Sequence, residues 1–322
     1  MSKEHAYVGL LAIGDPHLAS RVPGFRKDDY PRVILEKLRW ALAYARRERL
    51  LPLVLGDWFH WPRDNANWLI VELLRMFSEL PEPLLGVVGN HDCTAARVLT
   101  PDDSLAVLEA AGVVRLLSQE STWLGEIAGR TVLIGATSWE QPLPTDAPFP
   151  LTSRPPQQVV WLTHHDLRFP DQEEVGQLEL YDWPGVDLVI NGHQHRPVPP
   201  VTVGRTTWIN PGNLTRIKRS DATRARAPLV TRIEPKGSTF QATSITVPHQ
   251  PFDAVFFEAV APSTLAVGPS LFVQGLEELQ RRRTASGAGF AAFLEQNLKD
   301  VPPAVAAIIR EISEEVIDAH AK

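Results

Sequence analysis

Five short apolar runs, each ending in residues able to bind a metal ion, constrain this chain more than any other feature. They are VGLLAIGD (8–15), LLPLVLGD (50–57), PLLGVVGN (83–90), VVWLTHH (159–165) and VDLVINGHQH (186–195). Apolar stretches this short, bounded by turn residues, read as buried strands. Helical periods fall between them, at Ile34, Leu38, Ala41, Leu42 and Ala45 and again at Leu69, Leu73, Met76, Phe77 and Leu80. A third helix is expected with Pro101 in its first turn and its end before Gly112. Alternating strand and helix is an α/β pattern, and such folds bind ligands outside the carboxyl ends of their strands. The polar clusters fall on that rim.

Around TVLIGATSW (131–139) and from Arg205 to Val247, strands follow one another through turns, so a second and more antiparallel sheet is expected. It would pack face to face on the first, between helices. The proline-rich stretch 142–156 reads as an exposed loop. After about Pro248 the composition changes, and Leu271–Arg283 and Pro303–His320 look helical. The chain therefore divides into a main domain, 1–247, and a mainly helical appendage, 248–322, in keeping with a length of 322 residues. A single cysteine, Cys93, excludes an internal disulfide framework and points to a reducing cytoplasm. The apolar run near the N-terminus is too short for a signal segment, and no stretch approaches the ~20 apolar residues that span a bilayer. A net charge of -6 gives no general basic field for nucleic acid, so local patches matter.

Asp15 and His17 flank Pro16, which brings a carboxylate and an imidazole out of one strand end together. Asp57 ends the next strand, and a carboxylate can bridge two ions through its two oxygens. Asn90 and His91 offer an amide oxygen and an imidazole side by side. His164 and His165 end the fourth strand, and His193 and His195 the fifth. Singly, each cluster has an ordinary reading, since glycine-aspartate pairs make turns and histidines sit as satisfied polar groups at strand ends. Five in succession, each after an apolar strand, do not.

The series DPH, GDWFH, GNHD, THH and GHQH resembles the calcineurin-like metallophosphoesterase superfamily, over roughly two thirds of the chain from Asp15 to about Asn213. The resemblance implies a four-layer α/β/β/α sandwich, in which two mixed β-sheets pack face to face and are flanked by helices. It implies Asp15, His17, Asp57 and His195 around one divalent metal. Asp57, Asn90, His164 and His193 would hold the second, with Asp57 bridging. His91 is then free to serve as proton donor or phosphate-orienting group, and His165 supports the ligands from behind. In such chemistry a metal-bridging hydroxide attacks phosphorus and His91 assists the leaving group. Mixed nitrogen and oxygen ligands suit manganese, iron, cobalt or zinc better than calcium, and the resemblance favours manganese.

Many members of that superfamily carry an aspartate three residues after the second GD, where this chain has His60. The GDWFH form is similar to DNA repair exonucleases of the SbcD type, as is INPGNLTR (209–216), although Asn213 stands where those commonly have serine. This makes His60 a further catalytic candidate, either shaping the substrate or supporting Asp57, and makes Asn213 and Arg216 candidate substrate contacts. It implies a manganese-dependent DNA nuclease in repair or processing, with exonuclease activity and endonuclease activity left open. The alternative is a phosphatase or phosphodiesterase acting on a small nucleotide or phosphoprotein. A relic metal site in a binding module is disfavoured by the complete ligand set.

A basic strip, Arg216, Lys218, Arg219, Arg224, Arg226, Arg232 and Lys236, either tracks a phosphate backbone or is solvated surface. Trp58, Phe59 and Trp61 either stack on unpaired bases or belong to the core. Relatives of the SbcD type work with a coiled-coil ATPase through a helical C-terminal region. Here the stripe Val305, Ile308, Ile309, Ile312, Val316 and Ile317 reads more simply as packing on the main domain, with partner docking as the alternative. The oligomeric state is not legible.

Overall fold

The computed structural model describes residues 7–94, 98–146, 156–170, 176–217, 219–237 and 239–257. The expected C-terminal helices, the stripe from Val305 to Ile317, Lys218 and most of the proline-rich stretch lie outside the described residues. In chain order the elements are β1 (Gly9–Ile13), α1 (Tyr30–Glu48), β2 (Leu50–Val54), α2 (Asn67–Ser78), β3 (Leu84–Gly86), α3 (Ser104–Ala110), β4 (Val114–Leu116), β5 (Trp123–Ile127), β6 (Arg130–Thr137) and β7 (Gln158–Thr163). There follow β8 (Leu167–Arg168), β9 (Leu178–Glu179), β10 (Leu188–Asn191), β11 (Val198–Val203), β12 (Thr206–Asn210), α4 (Asp221–Arg224), β13 (Leu229–Lys236), β14 (Thr239–Thr246) and α5 (Phe252–Val255).

Alternation along single strands decides the layering, because successive side chains leave a strand on opposite faces. In β1, Leu11 and Ile13 enter a core with Ile34, Leu38 and Ala41 of α1 and Leu69 and Leu73 of α2. Leu10 and Ala12 enter a second core with Ile134, Val160, Leu162 and Ile190. One sheet thus buries both faces, against helices on one side and a second sheet on the other.

The first sheet has the order β14-β13-β1-β2-β3-β4 and the second β11-β12-β10-β7-β6-β5, with β8 and β9 as a separate pair. In the first, β1 to β4 run parallel and β13 and β14 antiparallel. In the second, β6, β7, β10 and β12 run parallel, and β5 and β11 close the edges antiparallel. Two mixed six-stranded sheets with helices make the expected α/β sandwich.

The strands between Arg205 and Val247 differ from the expectation of one second sheet, because they divide between the two. β12 joins the second sheet beside β10, while β13 and β14 join the first beside β1. The register explains the division: Leu10 lies opposite Ile233, which puts Ile233 into the core between the sheets and leaves Val230 for the helical side. α3 begins at Ser104 rather than in the turn at Pro101. The Asp103 carboxylate receives the Thr100 backbone N–H at 2.7 Å and pairs with Arg63, which holds that turn outside the helix. The outer face of the second sheet is buried beneath Trp161, Trp183 and Trp208 with Leu167, Phe169 and Val186. Among the described residues no helix is long and apolar enough to cross a membrane.

Candidate metal centre

Three of the five strands that end in an expected ligand, β1, β2 and β10, turn sharply as they leave their sheets. Asp15, His17, Asp57 and His193 have φ of 39°, 48°, 47° and 70°, in the left-handed region that costs a non-glycine residue energy. Such strain persists only where the surroundings over-determine it, and it clusters at functional sites. Gly56, at φ +91°, lets the chain pass beneath His164; a Cβ there would lie 2.3 Å from His164 Nδ1. At Gly89 a Cβ would lie 2.3 Å from Asp57 Oδ1, so glycine is the residue that lets the third strand end close on the carboxylate.

The turns bring all seven expected ligands together. His17 Nε2 lies 3.0 Å from His195 Nε2 and 3.7 Å from Asp57 Oδ2. On the other side of the same carboxylate, Asp57 Oδ1 lies 3.3 Å from His164 Nε2. The Asn90 carbonyl oxygen is 3.1 Å from both His164 Nε2 and His193 Nδ1. Asp15 is fully buried; its Oδ1 receives the His193 backbone N–H at 2.9 Å, and its Oδ2 has no hydrogen-bond partner among the described residues. His17, Asp57 and His195 form one candidate cluster, and Asp15, Asp57 and His164 another.

These groups fit divalent cations. Two imidazole nitrogens 3.0 Å apart, and a carboxylate oxygen orphaned in the interior, are arrangements that a shared cation resolves. Burial pushes Asp15 up to about 7. Burial acts the same way on Asp57, but His164 and His17 outweigh it and hold that carboxyl well below its usual range. His164 rises to about 9, because Asp57 and Asp15 overcome the effect of burial. Burial, reinforced by neighbouring imidazoles, lowers His17 and brings His193 down to about 4. Neutral imidazole is the form that ligates a metal.

His91 lies beside the seven, with its ring centroid 4.9 Å from that of His17. Its backbone N–H donates to Asp57 Oδ1 at 2.8 Å, and its ring Nδ1 donates to the His60 carbonyl at 2.9 Å. That leaves Nε2 as the ring atom available to a substrate. The His60 ring stacks on His91 with centroids 5.5 Å apart, and burial, then the charge of His91, brings His60 down to about 4. With His17 these two form a third cluster of potential ligand nitrogens. His165 lies outside the clusters, with Nε2 on the Gln141 carbonyl at 2.8 Å.

Sequence reasoning missed the supports. Asp92 is fully buried and binds the backbone N–H groups of Gly89 at 2.8 Å and Phe59 at 3.1 Å, tying the second strand exit to the third. Asn191 accepts from Thr163 and the His165 N–H and donates to the His165 and Gly192 carbonyls, which ties the fourth exit to the fifth. Their signal was the polar residue beside each recognised motif, in GNHD and INGH. Trp139 was read only as the end of a strand. Its indole packs on His193 with centroids 4.6 Å apart and reaches His164 at 6.1 Å.

The expected substrate contacts fall on buried groups. Asn213 is fully buried and accepts from Arg226. Arg216 is 4% exposed and donates to the Gln250 carbonyl at 2.5 Å. In this structure both act on protein atoms, because the loop after β12 folds back over α1. The basic strip is similarly dispersed: Arg224 pairs with Asp253, Arg232 with Glu48 and Glu234, and Arg219 covers Phe25. Trp58 and Phe59 are core, with the Trp58 N–H on the Val87 carbonyl at 3.0 Å. Trp61 is partly exposed beside His60, with Arg21 over its ring.

No curated protein matches the chain. Among solved structures, a double mutant of Vps29 from Entamoeba histolytica is similar over 74% of this chain and 100% of its own, with 15% identity and a TM-score of 0.27. The model of the calcineurin-like phosphoesterase family matches residues 9–197. That span begins with β1 and passes His195, so it takes in all seven ligand positions. The chain therefore belongs to the calcineurin-like phosphoesterase family of metal-dependent hydrolases.

Proposed function

We propose that the protein is a two-metal phosphodiester hydrolase acting on DNA, a manganese-dependent nuclease of repair or processing. One observation carries the hydrolase reading: the two oxygens of Asp57 face two different groups of imidazoles, with Oδ1 3.3 Å from His164 and Oδ2 3.7 Å from His17. When bound, two divalent ions lower the pKa of water and draw charge from the phosphoryl oxygens. Asp15, His17, Asp57 and His195 would hold one, and Asp57, Asn90, His164 and His193 the other. Two carboxylates among otherwise neutral ligands leave the centre positive, which favours an anionic diester. His91, with Nδ1 fixed on the His60 carbonyl, presents Nε2 to the leaving oxygen and would hold the proton it needs. His60 stacks behind it and keeps the ring in place.

DNA as substrate is supported by the GDWFH and INPGNLTR segments, and manganese by the mixed donor set and the same resemblance. A small phosphoester is the second reading, favoured by the basic residues that turn inward. Purified protein with manganese, given labelled single- and double-stranded DNA beside bis-p-nitrophenyl phosphate, should cleave all three. Cleavage of the small ester alone would select the second reading, and no cleavage by metal-loaded protein would reject both. The same resemblance supports a coiled-coil ATPase partner for the C-terminal segment. Full nuclease activity of the chain alone would count against it.

A further inference from the structure

Beside the candidate metal centre, four cationic side chains from separate segments come together, three of them buried and Arg226 half-buried. Arg26 comes from the loop before α1, Lys37 from α1, Arg216 from the loop after β12 and Arg226 from the segment before β13. Arg26, Lys37 and Arg216 are 4%, 5% and 4% exposed. The charges of Arg26, Arg216 and Arg226 all act on Lys37, with Asp28 as the opposing carboxylate. Asp28 is already engaged, since both its oxygens receive Arg26, at 2.9 and 2.5 Å. Asp15 also acts on Arg226, but that carboxylate faces the candidate metal centre. Burial, then the neighbouring guanidiniums, lowers Lys37 to about 7.

The donors of this cluster are only partly used. Arg26 is satisfied, by Asp28 and by the Arg216 carbonyl. Among the described residues Arg216 donates through Nη2, to the Gln250 carbonyl, and Arg226 through Nη1, to the His195 carbonyl and Asn213. The largest influences on the Lys37 ammonium are burial and neighbouring charges, with no hydrogen bond among them. Among the described residues Asn213 Nδ2 is a buried donor without an acceptor. Lysine and arginine are almost never buried unless paired, and Asp28, the carboxylate that opposes this charge, is already taken by Arg26. Excess positive charge with guanidinium and ammonium donors to spare is the chemistry that binds an oxyanion, of which phosphate is the best matched.

We propose that Lys37, Arg216 and Arg226 form a binding site for a phosphate-class oxyanion, separate from the metal centre and linked to it through the contact of Arg226 with the His195 carbonyl. The site goes beyond the hydrolase reading and stands whether or not the centre cleaves a diester. Its anion is either free phosphate or a phosphate of the substrate chain away from the scissile bond.

Isothermal titration of the manganese-loaded full chain with inorganic phosphate tests this. The wild type should take up two phosphates per chain and Lys37→Met one, the second binding at least tenfold more weakly, while Lys37→Arg keeps both. Should Lys37→Met fail to fold, Arg226→Gln is read in its place, with the same expected loss. Equal stoichiometry and affinity in wild type and variant, or a single phosphate on the wild type, overturns the site. A short oligodeoxynucleotide distinguishes the sources: displacement of both phosphates assigns the second position to the substrate chain, and displacement only of the phosphate that Lys37→Met still binds assigns it to the free anion. If no phosphodiester is cleaved but the second phosphate still binds, the hydrolase reading fails and this site remains.

Discussion

The two halves of the metal centre are prepared in different ways. Around His164 the protein itself sets the geometry: Nδ1 donates to the Leu55 carbonyl at 2.6 Å, which turns Nε2 toward Asp57 and Asn90, and Trp139 backs His193. Around His17 the groups are set differently. His17 and His195 meet nitrogen to nitrogen at 3.0 Å, while among the described residues His17 Nδ1 and Asp15 Oδ2 are buried without a hydrogen-bond partner. Hydrogen bonds to carbonyls fix a tautomer before any ion arrives, and a fixed tautomer raises ligand basicity. The difference teaches that two candidate clusters sharing one carboxylate, Asp57, need not be equally preorganised. The His164 half should load first as metal is added, and the His17 half second.

The largest effect should come from removing what the halves share. Asp57→Asn takes one charge from both, so both ions should weaken, by more than the roughly 100-fold that loss of a ligand's supporting partner costs. Metal analysis after dialysis would show it, and full occupancy of both positions would break the comparison at its root. His91→Ala should leave both halves loaded and lower kcat by about 10²–10⁴, the usual range for general acid catalysis. If that variant lost metal, His91 would have to be counted a ligand.

Gly56→Ala sharpens the comparison by disturbing the prepared half alone. A Cβ 2.3 Å from His164 Nδ1, at φ +91°, should displace the ring from Leu55. Stability should fall by about 1–3 kcal/mol, the usual cost of strain at such a position. Denaturant unfolding reads that loss, and metal titration should show the order of loading lost. Trp139→Ala should have the smallest effect, weakening the His193 side about tenfold while the His17 side is unchanged; Trp139→Phe should restore most of it. Equal weakening of both sides would mean that Trp139 acts on the fold rather than on His193.

The strand exits were legible because each joins an apolar run to a polar cluster, and in four of the five a glycine, Gly14, Gly56, Gly89 or Gly192, stands at the cluster. The division of β12 from β13 and β14 was not, since all three carry similar patterns and only pairing with β10 or β1 separates them. Trp58 and Trp61 show the same limit within one motif. They lie three residues apart, yet one is core and the other partly exposed beside His60. Arg216 read as a substrate contact because it ends the INPGNLTR segment and begins a basic strip; its burial follows from the loop after β12 packing over α1 beside Arg26 and Lys37.

The sequence by itself determined the chemistry of the site: which side chains could bind a cation, and that each would leave the carboxyl end of a strand. The periods of strand and helix, and the glycines that permit tight turns, are short-range properties that a chain carries wherever it folds. Tertiary structure alone decided which nitrogen meets which oxygen. His17 and His195 are 178 residues apart in the chain, as are the Asp15 carboxylate and the His193 N–H it accepts. Such contacts depend on the register within each sheet and on how one sheet packs against the other, and a one-residue slip in either would turn the same side chains away from the ions.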